Sequence, residues 1–397
     1  MSDPSSVEEV ALRPSRHQEL SGLRETAAEF TRREVAPHLQ QWEDSGSVPR
    51  ELHVAAAKQG LLGVSFSEAV GGEGGDLLDS VAGLEGMLSA GASSGLLAAL
   101  FTGGIALPHL AAHGSPDLVD RFVRPTLAGE LIGSLAVTEP GGGSDVAGIT
   151  TRAVRDGDEL VVNGAKTFIT SGVRADFVTA AVRTGGLGHG GISLLVIEKD
   201  RPGFSVDAAL SKMGWHCSDT ASLAFHDVRV PVGNLVGEAD TGFVQIAEQF
   251  VVERIALAVH GYGIAARSLA LAAAYARERE TFGRPLADRQ VIRHKLVEMH
   301  RQVEVARTYT RAVAARHALH LQGQGENVVA EACLAKQTAV DTAEHVCHEA
   351  VQIYGGAGYL HGTEVERHYR DARILGIGGG ANEVLTDLAA RLLGYAS

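Results

Sequence analysis

The chain consists of two stretches with the apolar period of helices, separated by one stretch with the period of strands. Between residues 17 and 39, apolar residues recur at helical spacing, which predicts an amphipathic helix that Pro37 disturbs near its end. The glycine cluster at 71–75 is typical of a loop. Three further helical patterns follow, at residues 51–60, 77–88 and 94–110. We therefore expect the chain before residue 135 to be helical.

The period of the apolar residues changes to two near residue 135, as in strands with one buried face. Asp156-Gly157 and Asn163-Gly164 are dipeptides that favour the tight turns of β-hairpins. The alternating runs lie at 151–154, 159–162, 166–170, 177–182, 192–197 and 222–230. The sequence predicts a middle β-domain made of hairpins.

The helical period returns at Gly242 and continues to the end of the chain. Its four patterns run over 242–279, 286–320, 327–354 and a short segment after Asn382. Short glycine-containing loops join them, which indicates an antiparallel four-helix bundle. The predicted fold is mainly α with a central β-domain, in three domains at residues 1–134, 135–238 and 239–397.

Composition and charge narrow the classes of function. The 397 residues are 45% hydrophobic, enough for buried cores, and the formal net charge of −13 argues against nucleic acids and anionic membranes as partners. The apolar stretch 255–276 contains His260 and Arg267, so it predicts a buried helix and no membrane span. The amino-terminal segment lacks the apolar core of a secretory signal, and we expect a cytoplasmic protein.

The cysteine and histidine spacings do not favour a metal site or a disulfide framework. Cys217, Cys333 and Cys347 are scattered, odd in number, and form no C-x-x-C pair. His345 and His348 lie three positions apart on a predicted helix, without an H-E-x-x-H motif or a second cluster. We predict no metal.

Two glycine-rich segments could contact a ligand. Residues 376–381 fit the G-x-G-x-x-A fingerprint, but only 16 residues follow Ala381. This is too short for the βαβ unit that the fingerprint requires, so we reject a dinucleotide-binding fold there. Gly141–Gly143 precede Ser144, and their backbone N–H groups with its hydroxyl could hold a phosphate. A surface turn is the alternative.

Glu253 is a candidate general base on the helix predicted from Gly242. Its neighbours one and two turns further along the same face are Leu257 and Gly261. A carboxylate on an otherwise apolar face has a raised pKa, which suits a general base. In the alternatives, Glu253 pairs with Arg254 or reaches water.

Several long motifs occur in a fixed order along the chain. They are VTEPGGGSD at 137–145, NGAKTFIT at 163–170, RETFGRPL at 279–286 with Gln290, QIYGGAGY at 352–359, RDAR at 370–373 and GGANE at 379–383. From about residue 17 to its end, the chain resembles the acyl-CoA dehydrogenase family. The resemblance implies a helical domain, a β-barrel-like domain and a four-helix bundle, with FAD as cofactor and a homotetramer as the assembly.

The resemblance also implies which residues bind the cofactor. Leu135, Val137 and Thr138 would line the flavin ring, and Phe168 and Thr170 would pack on it, with Phe168 in place of a tryptophan common in the family. Other residues would reach FAD bound mainly to a neighbouring subunit: Arg279, Thr281, Phe282, Gln290, Gln352 and Gly356.

The remaining implied contacts involve both ligands. Ser144 would lie where the phosphates of FAD and CoA pass, and so would contact both. Further cofactor contacts are Ala381, which replaces a threonine of the common pattern, and Glu383. Further substrate contacts are Phe250, Arg254 and Gly378.

The chain departs from the common family pattern at Gly379. Many members carry the catalytic glutamate at this position, and a minority, of the isovaleryl-CoA and long-chain type, carry it where Glu253 stands. The resemblance implies Glu253 as the catalytic base and Gly379 as the donor of a backbone N–H to the thioester carbonyl. Glycine at 378 and 379 is also expected to open volume for a branched or bulky acyl chain.

The implied reaction is FAD-dependent oxidation of an acyl-CoA to a trans-2-enoyl-CoA, with the electrons passed to an electron-transfer flavoprotein. An acyl-CoA oxidase or flavin monooxygenase of the same fold is one alternative. A non-catalytic nucleic-acid-binding relative is another, and the net charge of −13 speaks against it.

Overall fold

The first part of the chain is helical, as predicted. The structure is a computed structural model that describes residues 14–396. Its first helices are α1 (Pro14–Phe30), α2 (Leu39–Ser45), α3 (Arg50–Ala57), α4 (Leu77–Ser89), α5 (Ser94–Leu100), α6 (Gly103–Ala106), α7 (Pro108–His113), α8 (Pro116–Leu118) and α9 (Arg124–Leu127). Residues 1–13, which include most of the segment considered for a secretory signal, and Ser397 lie outside the described residues.

Two of the predicted helices differ most from their sequence patterns. α1 ends at Phe30, and a π-helical turn, Thr31–Val35, follows it where the pattern predicts helix to residue 39. The segment 94–110 is divided into α5, α6 and α7, with a bend of 57° after α5. Gly103 and Pro108 begin the new helices, because glycine weakens a helix and proline lacks the N–H that would continue one.

A seven-stranded sheet follows. Its strands are β1 (Gly133–Ala136), β2 (Arg152–Asp156), β3 (Glu159–Thr170), β4 (Phe177–Arg183), β5 (Ile192–Glu198), β6 (Phe204–Ala209) and β7 (Thr220–Pro231). The order is β1-β4-β2-β3-β7-β6, and β5 pairs with β4. β1 and β4 are parallel, so the sheet is not made of hairpins alone. The predicted runs omit the four-residue β1 and also β6, although Phe204, Val206 and Ala208 carry the alternation.

The predicted hairpin turn at Asn163-Gly164 is wrong. Both residues lie inside the continuous strand β3, at a shift in its register with β7. Asn163 Nδ2 donates to Asp227 Oδ1 at 2.9 Å across this shift. Gly164 has a φ of +149°, and a Cβ there would lie 2.5 Å from Thr151 Oγ1. The glycine therefore serves close packing at a bulge and does not form a turn.

The C-terminal part contains the predicted bundle with one further helix. Its elements are α10 (Gly242–Glu278), β8 (Glu280–Thr281), β9 (Arg284–Pro285), α11 (Gln290–Leu321), α12 (Val329–Tyr354), α13 (Glu364–Leu375) and α14 (Asn382–Leu392). The predicted patterns do not include α13, because its buried positions include the polar Arg367, His368 and Asp371. α11 begins at Gln290 and not at residue 286, after the 3₁₀ turn Leu286–Asp288.

One apolar core joins the first helices to the bundle. Phe30, Met87 and Leu97 pack there with Ile255 and Val340. A second core lies within the sheet, and a third lies between the sheet and the segment from α7 to α9. Among residues 14–396, α10 is the only single helix long and apolar enough to cross a membrane, and 67% of its most apolar window is buried. It packs as the core helix that the sequence predicts.

Candidate active site

α10 meets the connection between α13 and α14 at Glu253 and Gly379. A Cβ placed on Gly379 would lie 3.5 Å from Glu253 Oε1 and 2.4 Å from Leu257 Cδ1. Leu257 is one helical turn from Glu253, so both side chains face this connection. The structure thus brings together the residue expected to be the base and the residue expected to donate its N–H to the thioester carbonyl.

Gly379 adopts a backbone conformation that favours glycine, with a φ of +64°. The Leu257 methyl group occupies the space where a side chain at position 379 would begin. A Cβ on Gly378 would meet only Ile374 O, at 3.6 Å. The expected volume for a branched or bulky acyl chain stays a prediction.

The Glu253 carboxylate is half-buried and has no partner within residues 14–396. Arg254 does not pair with it: the Arg254 guanidinium lies over the Phe250 ring, 5.5 Å from the ring centroid, and its buried Nε has no partner among the described residues. Burial raises the pKa of Glu253, and the charges of Lys336 and Arg254 oppose this rise. An unpartnered carboxylate with a raised pKa can accept a proton.

Lys336 is a residue that the sequence analysis missed. It belongs to α12, its side chain is fully buried, and its Nζ donates to Gly378 O at 2.5 Å and Gly380 O at 2.6 Å. Burial lowers the pKa of Lys336 to about 8, while the charge of Glu253 acts to raise it. The signal in the sequence is a lysine at the spacing of the apolar face of this helix, four residues after Ala332 and four before Val340.

A second buried lysine supports the loop after β1. Lys166 Nζ donates to Val137 O and to Glu139 Oε1, each at 2.9 Å. Burial lowers the pKa of Lys166 to about 8. Burial also acts to raise the pKa of Glu139. The charge of Lys166 and the hydrogen bonds from Thr151 and Thr150 outweigh this effect and lower the pKa to about 2. This buried ion pair fixes the backbone on both sides of Thr138.

The residues predicted to line a flavin ring lie together around this loop. Thr167 N–H donates to Thr138 O at 2.9 Å, which joins the loop to the end of β3. Phe168 has a φ of +59° and is 69% exposed, although it is aromatic and apolar. Leu135 and Thr170 are half-buried at the ends of β1 and β3. Beside them, Ser144 is exposed in a loop.

Another group of predicted residues lies at the far end of the bundle. Arg279 follows the end of α10, 26 residues after Glu253, which is about 39 Å along a helix. Tyr275 and Tyr354 stack with ring centroids 4.2 Å apart, which joins the end of α10 to the end of α12. The residues placed at this end are Arg279, Thr281, Phe282, Gln290, Gln352 and Gly356. The structure separates this group from Glu253 within one chain.

The last predicted residues lie near Gly379. Ala381 directly precedes α14, and Glu383 is exposed in the first turn of that helix. Gln337 Nε2 donates to Asn382 O at 2.9 Å, which attaches the start of α14 to α12. Residues 14–396 contain no group of three or more His, Cys, Asp or Glu side chains arranged to hold a metal ion.

Comparison with known proteins identifies the fold. Sequence profiles of the N-terminal, middle and C-terminal domains of acyl-CoA dehydrogenases match residues 17–130, 134–228 and 240–394. The chain is 35% identical over 374 residues to the mitochondrial long-chain specific acyl-CoA dehydrogenase of Mus musculus, covering 93% of this chain and 85% of the relative.

Solved structures agree with these matches. The crystal structure of a "probable acyl CoA dehydrogenase" from Mycobacterium abscessus is 60% identical, with a TM-score of 0.92 over 96% of this chain and 99% of that one. The structure of PigA with FAD and proline is 25% identical, with a TM-score of 0.90 over 95% and 97% of the two chains. The chain therefore belongs to the acyl-CoA dehydrogenase family, a family of FAD-dependent oxidoreductases.

Proposed function

We propose that this protein oxidises an acyl-CoA thioester to its trans-2-enoyl-CoA and passes the electrons to an electron-transfer flavoprotein. The observation that carries the proposal is the unpartnered Glu253 carboxylate next to the backbone of Gly379. When bound, FAD supplies the acceptor for the hydride that leaves the β-carbon of the acyl chain.

In this proposal, Glu253 removes the proton from the α-carbon of the thioester. The raised pKa of its carboxyl, caused by burial, matches a base that must hold a proton after the reaction. The absence of a hydrogen-bond partner among the described residues keeps its oxygens available to the substrate.

The backbone N–H of Gly379 is proposed to donate to the thioester carbonyl. Charge develops on this oxygen as the α-proton leaves, and a fixed N–H donor stabilises that charge without reorganisation. No acceptor within residues 14–396 takes this N–H, which supports its assignment to a ligand. Phe250, Arg254, Gly378 and Ser144 remain the proposed further contacts of the acyl-CoA.

The donor chemistry around the β1 loop fits FAD. The Thr138 N–H has no acceptor among the described residues, and the carbonyl edge of a flavin requires such donors. Phe168 offers an exposed aromatic face for a ring, and it lies beside this loop. We assign the ring to Leu135, Val137, Thr138, Phe168 and Thr170, the phosphates to Ser144, and further contacts to Ala381 and Glu383.

We assign the far group, from Arg279 to Gly356, to FAD held by a neighbouring subunit of a homotetramer. The separation of about 39 Å from Glu253 supports this, because these side chains cannot reach the same flavin ring within one chain. Phe282 is 98% exposed, with Arg289 over its ring at 5.5 Å, which suits a surface that a second copy covers.

Glu253→Gln tests the proposal, because it keeps the size of the side chain and removes the base. The purified flavoprotein is mixed anaerobically with straight and branched acyl-CoAs, and the bleaching of the flavin is followed. We expect the native protein to reduce its flavin, and Glu253→Gln to be slower by about 10²-fold or more.

Glu248→Gln is the matched control, since Glu248 is exposed on the same helix. It should reduce its flavin at the native rate. Reduction by Glu253→Gln at the native rate would refute the assignment of the base. Reoxidation of the reduced flavin by air faster than by an electron-transfer flavoprotein would instead identify an oxidase.

A further inference from the structure

We propose that Lys336 is a positioning residue that orients and strengthens the Gly379 N–H as the donor to the thioester carbonyl. The inference rests on the proposed function, since it assigns a role to a residue behind that site. The proposal depends on three observations: the burial of Lys336, its two carbonyl acceptors and the unpartnered N–H of Gly379.

The two hydrogen bonds of Lys336 determine where the Gly379 N–H points. The carbonyl of Gly378 and the N–H of Gly379 belong to one peptide unit, and in a trans peptide these groups point in opposite directions. No peptide bond within residues 14–396 is cis. Because Gly378 O accepts from Lys336 Nζ at 2.5 Å, the Gly379 N–H points away from Lys336.

The second acceptor prevents this peptide from rotating freely. Gly380 O also accepts from Nζ, at 2.6 Å, so one ammonium group holds the loop on both sides of Gly379. Glycines with positive φ at 379 and 380 would otherwise have wide backbone freedom. Lys336 therefore restricts the backbone of a loop that three consecutive glycines would otherwise leave flexible.

The positive charge contributes beyond the geometry. A cation bonded to the carbonyl oxygen withdraws electron density from the peptide and makes its N–H a stronger donor. The charged groups that act on Lys336 are Glu253 and Arg254 on α10, together with the thiol of Cys333 on its own helix. The Lys336 charge also favours the ionised form of Glu253, so it supports both the base and the donor.

Lys336→Met tests the role, because methionine has a similar shape without charge or N–H. We expect a variant that retains FAD but reduces its flavin about 10-fold more slowly, because the Gly379 donor remains but is less well oriented; complete loss of such a donor costs about 10²-fold or more. The rate of flavin reduction rises with pH as Glu253 loses its proton. This rise should move to higher pH in the variant, since loss of the nearby cation raises the pKa of Glu253. A purely structural role would leave that rise in place.

A measurement without turnover complements the rates. Infrared spectra of bound trans-2-enoyl-CoA, labelled with ¹³C at the carbonyl, report the hydrogen bonding of that oxygen. The native protein should lower the stretching frequency relative to solution, and Lys336→Met should show a smaller shift. An unchanged frequency together with an unchanged rate and pH dependence would overturn the proposal.

Two further variants complete the experiment. Lys295→Met removes a half-buried lysine that pairs with Glu349 and does not bind the glycine loop, and this variant should reduce its flavin as the native protein does. If Lys336→Met does not fold, Lys336→Gln decides, because it keeps an N–H donor for the carbonyls but removes the charge. We expect Lys336→Gln also to move the rise of the flavin-reduction rate to higher pH. An unmoved rise together with the native rate would contradict the role of the charge.

A native protein that no acyl-CoA reduces would refute the proposed function itself.

Discussion

At the scale of single residues, Gly379 shows how the candidate site depends on the absence of a side chain. Its φ of +64° and the Leu257 methyl group directly beside it exclude a Cβ without local movement. The glutamate that the common family pattern would place here is accommodated instead on α10, as Glu253. The site keeps one carboxylate, and the backbone of position 379 remains free to donate.

Gly379→Ala should lower the free energy of unfolding by about 1–2 kcal/mol from the backbone conformation, with a further cost for displacing Leu257. Adding Leu257→Ala to the Gly379→Ala variant should recover the part of the lost free energy that comes from the contact with Leu257. Thermal and urea unfolding of the single and double variants measure both effects. Gly233→Ala is the control, because Gly233 has no positive φ and open space at its Cβ position. Equal stability of Gly379→Ala and Gly233→Ala would contradict this prediction.

At the scale of elements, one buried carboxylate joins four helices. Glu85 on α4 accepts hydrogen bonds from Arg24 on α1, Arg311 on α11 and the Tyr262 hydroxyl on α10, at 2.6–3.0 Å. Burial acts to raise the pKa of Glu85, but the bonds and charges of Arg311, Tyr262 and Arg24 lower it overall. This network ties the first helices to the bundle that carries Glu253.

Glu85→Ala should cost about 1–3 kcal/mol of unfolding free energy, because it leaves the buried Tyr262 hydroxyl without its acceptor, while the partly exposed Arg24 and Arg311 can turn to water. The measurement is the shift of the unfolding midpoint at neutral pH. Glu298→Ala is the matched control, since Glu298 pairs with Arg301 on the exposed side of α11 and should have little effect. Similar midpoints for both variants would show that the network does not stabilise the helix contacts.

At the scale of the whole molecule, buried histidines make the assembly of helices sensitive to acid. Burial lowers the pKa of His53, His109 and His260 to about 4. His260 Nδ1 lies 3.0 Å from Ser94 Oγ, which joins α10 to α5. Burial raises the pKa of Asp371, and this group acts in the opposite direction on stability.

The contribution of His260 should be lost as the pH falls from 6.5 towards 4. The unfolded chain, with its ordinary histidine pKa, binds the proton first, so the stability is fully present above pH 6.5 and decreases below it. The difference in Tm between the native protein and His260→Gln should therefore shrink between pH 7 and pH 4.5. A constant difference over this range would mean that His260 does not titrate with folding.

Local patterns predicted most of the elements. The Asp156-Gly157 turn does connect β2 to β3, and α10 and α12 begin and end within two residues of their patterns. The errors have physical causes. Asn163-Gly164, a dipeptide that also favours turns, forms a bulge inside β3 and packs on Thr151. α13 is strongly polar overall, and polar groups stand at several of its buried positions, so few apolar residues mark it.

The sequence by itself determined the periods of the elements and the ordered motifs, because each depends on residues close together in the chain, and the resemblance that these motifs carry predicted Glu253 as the base. Only the tertiary structure decided that Glu253 has no partner, that Leu257 occupies the space beside Gly379, and that Lys336 holds the glycine loop. These facts depend on how α10, α12 and the connection after α13 pack, and no local pattern specifies contacts across such distances in the chain.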